Sequence, residues 1–313
     1  MTVDLWPGLE LRHVAAFQAV AEARSFARAA EQLGYTQPAV SQQIASLERI
    51  VGHRLLERSS GRSAVELTEA GRLLLGHLDA IGARLAAARS DLDALQSGTG
   101  GTLHVGAFQS VSARILPDLL RRLTLTTPGV TIDLFEATTD EELLERLDEG
   151  TLDFAFVMLP IESERFETVE LLRDPYYLVA PSGAVEAASI ESLEDLRDVP
   201  LIGHRTCRST QAVEATMRAA GIEPRYAFRS DDNTAVKGFV ESGLGIAVVP
   251  RLALDTMGSE GVEAQCIDAL VPARLIGLAW SRHRSLRAAQ EVFVAAARET
   301  CDSLRGDPAP SRR

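Results

Sequence analysis

Gln37, Ser41 and Gln42 have the types and spacing that most directly imply chemistry in this 313-residue chain, and that chemistry is recognition rather than bond making. On a helix these positions share one face. A glutamine amide there can pair bidentately with adenine, and a serine hydroxyl can serve a base or a phosphate. Thr36 just ahead, and Arg54, Arg58 and Arg62 further on, carry groups that meet phosphates or a minor groove. Solvated surface arginines are the plain alternative for the last three.

The elements that must position these groups are legible from Ser25 to Arg58. The pattern predicts a helix ending at Leu33, a turn through Gly34, Tyr35 and Thr36, and a second helix from Gln37 to about Val51. Val40, Ile44, Leu47 and Val51 recur at three- and four-residue spacing and face Phe26, Ala29, Ala30 and Leu33. Gly34 tolerates the left-handed conformation that ends a helix. Pro38 falls in the first turn, where a missing N–H costs nothing. This is a helix-turn-helix, with an ordinary helical hairpin of polar outer face as the alternative. Leu11, Val14, Phe17 and Val20 make an amphipathic helix beneath it.

Beyond it, Arg54 to Leu67 has a polar tip at Ser59 to Arg62 between two apolar arms, the pattern of a two-stranded wing. Thr68 reads as the N-cap of a long helix to about Gln96. Within that helix Leu74, Leu78, Ile81, Leu85, Ala88, Leu92 and Leu95 alternate spacings of four and three, a seam that packs along another helix. The alternative is a helix laid on its own domain. Gln96 to Thr102 is a flexible linker by composition. From Leu103 onward short apolar runs alternate with helical patterns, which predicts parallel βαβ units and an α/β fold.

The whole-chain numbers constrain the class. At 46% hydrophobic the chain can hold two or three domains with real cores. Its first twenty residues do not form a signal peptide, and no apolar run is long enough to span a bilayer, so a cytoplasmic protein with no membrane partner is expected. Cys207, Cys266 and Cys301 are three widely spaced cysteines without a metal-ligand pattern. The net charge of −12 argues against a nucleic-acid binder. The first 67 residues, however, balance their arginines against their acids, and Arg54, Arg58 and Arg62 outnumber Glu57 at the wing. Lys237 is the only lysine.

The run AAEQLGYTQPAVSQQIASLE, with LLER at Leu55 to Arg58 and LTEAG at Leu67 to Gly71, resembles the winged helix-turn-helix of LysR-type transcriptional regulators. Leu56 stands where the family usually has phenylalanine, and Gln42 where many members have arginine. GTLHVGAFQSVSARILP at Gly101 to Pro117 and DNTAVKGFVESGLGIAVVP at Asp232 to Pro250 resemble the effector domain of the same family, similar in fold to periplasmic binding proteins. The resemblance implies DNA binding by residues 1–67, dimerisation through the linker helix 68–97, and a hinge at 98–102. It further implies two α/β subdomains, 103–180 with 273–305 and 181–272, crossing near Val179 to Pro181 and near Val271 to Arg274, with a ligand cleft between them.

Loops that lead from strand ends into helix N-termini gather unpaired N–H groups suited to small anions. Gln109 with Ser110, Thr138 with Thr139, and His204 to Ser209 lie in such loops. The matching family loops contact inducers, so the resemblance implies Gln109, Ser110, Thr138, His204 and Arg205 as effector contacts. Thr139 is explained as a helix cap with Glu142. Arg205 and Arg208 favour a carboxylate effector, unless they are surface residues. Cys207 is similar in position to the reactive cysteine of peroxide-sensing members, but the next cysteine is the distant Cys266; a structural thiol is the favoured alternative.

An enzyme is the competing class. GLGIAV at Gly243 to Val248 precedes and enters a strand rather than following one, so it is no dinucleotide loop. No nucleophile elbow, paired histidine ligands or P-loop appear, and no cofactor or metal is expected. The expected protein is therefore a sequence-specific regulator that binds double-stranded DNA as a homodimer or homotetramer. It responds to a small molecule held between two subdomains. A small-molecule binding protein with a helical N-terminal domain is the alternative, and it leaves the helix-turn-helix unexplained.

Overall fold

The computed structural model describes residues 6–58, 65–97, 101–183, 190–205, 207–282, 286 and 288–305. The chain divides into two compact units, Met1–Ala88 and Arg89–Arg313.

The first unit begins with α1 (Leu11–Ala23), α2 (Phe26–Leu33) and α3 (Gln37–Val51). Ser25 caps α2 by accepting the Arg28 N–H, and Gly34 at φ 67° ends it. Thr36 is the N-cap of α3 without using its side chain, Pro38 sits in the first turn, and Gly52 closes the helix at φ 75°. Phe17, Val20, Ala29, Val40, Ile44 and Leu47 form the core between them. The hairpin β1 (Leu56–Arg58) and β2 (Val65–Leu67) pairs Leu56 with Leu67 and Arg58 with Val65. The predicted wing tip, Ser59 to Arg62, falls outside the described residues.

Next comes α4 (Glu69–Ser97), the longest helix. Thr68 caps it: its hydroxyl oxygen accepts the Gly71 N–H at 2.9 Å and donates to the Arg54 carbonyl. Leu55 ties three elements together. Its N–H donates to Glu48 Oε1 of α3 at 2.8 Å, its carbonyl accepts the Thr68 N–H, and a Cβ at Gly71 would lie 2.1 Å from that carbonyl oxygen. Glycine is therefore required at the root of α4. Leu74 and Leu78 are buried in the core of the first unit, and Gln18 of α1 bonds Asp79 at 2.7 Å. These two leucines correct the predicted dimerisation seam, because their side of α4 covers α1 and the wing. The first unit accordingly extends well past residue 67.

Among the described residues the second unit holds two five-stranded sheets. Its chain runs β3 (Thr102–Ala107), α5 (Gln109–Arg114), α6 (Leu116–Thr126), β4 (Thr131–Glu136), α7 (Asp140–Glu149), β5 (Phe154–Leu159) and β6 (Phe166–Asp174). It continues β7 (Tyr176–Pro181), β8 (Leu201–Gly203), α8 (Arg208–Ala219), β9 (Tyr226–Arg229), α9 (Asn233–Glu241) and β10 (Ile246–Pro250). It ends α10 (Arg251–Met257), β11 (Val262–Cys266), β12 (Arg274–Ser281) and α11 (Ala288–Arg305). The sheet orders are β4-β3-β5-β12-β6 and β11-β7-β10-β8-β9.

The predicted parallel units are β3 with β4 and β5, and β8 with β9 and β10. Each sheet also takes antiparallel strands: β12 beside β5 and β6, and β7 beside β10 and β11. Strand β7, expected in the first subdomain, hydrogen-bonds wholly within the second sheet. The first crossover thus lies at Pro175, between β6 and β7, and not near residue 180. Strands β6 and β11 and helix α10 lie outside the predicted parallel units. Helices α5 and α6 are separate, with Pro117 in the first turn of α6. Most of the predicted hinge, residues 98–100, falls outside the described residues.

Candidate functional site

On the first unit, α3 presents Gln37, Pro38, Gln42 and Ala45 to solvent, with Ser41 half-buried beside them. Thr36 and Arg54 are exposed as well. The side chain of Arg58 and the whole of Arg62 fall outside the described residues. The buried face of α3 carries Val40, Ile44 and Leu47, so the polar face is fixed outward by the packing beneath it.

On the second unit a cavity of about 190 Å³ opens between the two sheets, lined from both. Ser110 and Gln109 reach it from the start of α5, Thr138 from the loop after β4, and His204 from the loop after β8. Four of the five predicted effector residues thus converge. Arg205 does not: its side chain is 72% exposed and leans toward Asp231 at 3.9 Å. The carbonyls of His204 and Arg205 accept from Arg229, which holds the loop so that Arg205 faces away. Thr139 caps α7 by accepting the Glu142 N–H, as the sequence implied.

Two arginines outside the predicted effector set, Arg208 and Arg274, line the cavity instead. Arg208, at the start of α8, reaches across to the first subdomain. It donates to Asp140 Oδ2 at 3.0 Å, to the Pro160 carbonyl at 2.9 Å, and to the Met158 carbonyl. Arg274 opens β12 and is buried. Its Nε donates to Asp174 Oδ2 at 2.8 Å and its Nη2 to Ser110 Oγ at 3.0 Å, while its guanidinium lies 5.1 Å from the Phe108 ring centre. Asp174 also accepts the Leu252 N–H, so one buried carboxylate joins β6, β12 and α10 at the crossover.

Burial sets the protonation of the cavity's other groups. It raises the pKa of Asp140 above the usual carboxylate value, although the Met158 N–H and Arg208 pull the other way. It lowers that of His204, whose Nε2 bonds Asn233 Oδ1 at 2.9 Å. Asn233 in turn donates its N–H to Gln109 Oε1 at 3.4 Å, a further bond across the cleft. Cys207 caps α8, its sulfur accepting the Thr210 N–H, and lines the same cavity.

The family model described as "LysR substrate binding domain" matches residues 96–302, and "Bacterial regulatory helix-turn-helix protein, lysR family" matches residues 11–72. The chain belongs to the LysR family of bacterial transcriptional regulators. Among the relatives of this regulator, the HTH-type transcriptional regulator CbbR of Rhodospirillum rubrum is 34% identical over 242 residues, 77% of this chain and 79% of that one. The DNA-binding transcriptional dual regulator OxyR of Escherichia coli K12 is 31% identical over 309 residues, 94% and 96% of the two chains. The solved structure of CbnR, a LysR family transcriptional regulator, superposes at a TM-score of 0.72, with 27% identity over 94% of this chain and 99% of that one. Full-length CbnR complexed with its target DNA superposes at 0.74, with 27% identity over 93% and 100%.

This LysR-family regulator therefore binds DNA, takes a small-molecule effector in its second unit and oligomerises; it is not an enzyme. Among the described residues no helix is long and apolar enough to cross a membrane.

Proposed function

We propose that α3 reads an operator through its exposed amides, with Gln37, Ser41 and Gln42 on base edges and Thr36, Pro38, Arg54, Arg58 and Arg62 along the backbone or minor groove. The observation that carries this reading is the outward polar face of α3, held by a core of Val40, Ile44 and Leu47. The small exposed Ala45 lets that face sit deep in a major groove. Ile81, Leu85, Ala88 and Leu92 are exposed on α4 and are assigned to a partner helix, with Leu95 continuing the seam. The effector sits against Ser110, Gln109, Thr138 and His204, where it shifts the population of assemblies that differ in recognition-helix spacing. The regulator acts where its DNA is, in the cytoplasm, as a dimer or a dimer of dimers.

The test is a binding titration of the full chain on the DNA upstream of its own gene, against an unrelated fragment of equal length. Gln37→Ala and Ser41→Ala are each expected to cost about 1–3 kcal/mol on the specific fragment only. A double variant that keeps full specific affinity would remove α3 as the reading face. For the cleft, Thr138→Trp fills the cavity. It is expected to preserve DNA binding while abolishing the promoter's response to its inducing condition in cells.

A further inference from the structure

The charge inventory of the effector cavity runs opposite to what an anionic ligand requires. Glu136, Asp140 and Asp231 line it against Arg208 and Arg274. Adding the groups paired with these from just outside, Asp174 on Arg274 and Arg205 beside Asp231, leaves the same surplus of a single carboxylate. Arg229, behind the His204 loop, is matched by Glu214 at 2.7 Å. His204 adds no positive charge near neutral pH, since burial disfavours its protonation.

Availability of donors points the same way. The terminal nitrogens of Arg208 are directed at Asp140, Met158 and Pro160, and Arg274 is directed at Asp174 and Ser110. Each guanidinium already serves an internal carboxylate, so a ligand carboxylate would share it with Asp140 or Asp174 and gain less than from an unpaired arginine. Glu136, by contrast, is exposed to the cavity and makes no ion pair among the described residues. Around it Phe108, Ala137, Met158, Pro250 and Ala253 supply apolar wall.

We propose that the effector carries a protonated nitrogen that pairs with Glu136, on a compact apolar body, in preference to a simple carboxylate. This rests on the reading of the cavity as the effector site. Glu136 provides the ion pair, Thr138 and Asp231 accept further N–H donors, and the apolar wall holds the remainder. The internal Arg208–Asp140 and Arg274–Asp174 pairs then belong to the architecture of the cleft and not to its ligand.

The electrostatic potential in the cavity can be read without knowing the ligand. Thr138 is exposed and lines the cavity, so Thr138→Cys, in a full-length chain carrying Cys207→Ser and Cys266→Ser, places a single reachable thiol there; Cys301 is buried. The probes are two methanethiosulfonate reagents of similar size, one bearing trimethylammonium and one sulfonate. Their rate ratio, cationic over anionic, is expected to exceed that of 2-mercaptoethanol by about tenfold or more at low salt. Adding Glu136→Gln is expected to bring the ratio back toward that of the free thiol. A ratio at or below the free-thiol value, or one that Glu136→Gln does not lower, would overturn the ligand class and leave the cavity as the effector site. A Thr138→Trp regulator that still responds in cells would instead remove the cavity reading itself.

Discussion

Arg274 and Asp174 show what a single pair of residues can decide. They stand a hundred positions apart, 6% and 1% exposed in their side chains, and together fasten the crossover between the two sheets. Asp174→Ala leaves a buried guanidinium and the Leu252 N–H without their acceptor, and is expected to cost about 3–5 kcal/mol in a denaturant melt. Asp174→Leu combined with Arg274→Met should recover much of that loss. A double variant as unstable as the single would mean that the charge is not what matters. His204 predicts a pH dependence. Its folded pKa is lowered below 6.5, so between those two values the unfolded chain binds more protons and stability falls as pH drops below 6.5. The slope approaches about 1.4 kcal/mol per pH unit at most. Melting curves of wild type and His204→Gln between pH 7.5 and 5.5 should diverge, with the variant the flatter.

The loops of Ser110 and Thr138 were legible from sequence because the strand-to-helix rule needs only local pattern, while their assignment to an effector came from the family resemblance. The choice between Arg205 and Arg208 was not. Both flank the same cysteine, and which one turns inward depends on Arg229 gripping two carbonyls of the loop. Arg274, at the head of an apolar strand, offered a sequence signal in its misplaced charge, but its partner Asp174 lies on another strand.

At the scale of elements, α4 illustrates why spacing alone does not name a partner. Leu74, Leu78, Ile81, Leu85 and Leu92 keep one rhythm, yet Leu78 is 1% exposed and Leu85 48%. The helix serves its own domain first and turns the remainder of its seam outward. Leu78→Ala is therefore expected to destabilise the first unit by about 2–5 kcal/mol with little effect on assembly. Leu85→Glu should lower the mass seen in sedimentation while the first unit melts as before. If Leu85→Glu leaves the mass unchanged, the outward seam is not the interface. The helix-turn-helix was legible because turn glycine, first-turn proline and core spacing agree within about 30 residues. Strands β6 and β11 were not, because they join antiparallel to strands remote in the chain and their alternation is weak.

For the whole molecule, the charge of −12 and a DNA-binding face coexist because the acids concentrate outside the first 67 residues. Arg54 is exposed at the base of the wing, so Arg54→Ala should weaken binding to all fragments alike and reduce the salt slope by about 1. A loss confined to the specific fragment would instead assign Arg54 to base reading.

The close approach of Gly71 to Leu55 has a mechanical meaning. Leu55 is clasped by α3 on one side and by the root of α4 on the other, so those two helices form a single crank. With 29 residues, the handle is about 43 Å long. A side chain at position 71 would meet the Leu55 carbonyl and pry this joint open, leaving the reading helix without a fixed angle to its handle.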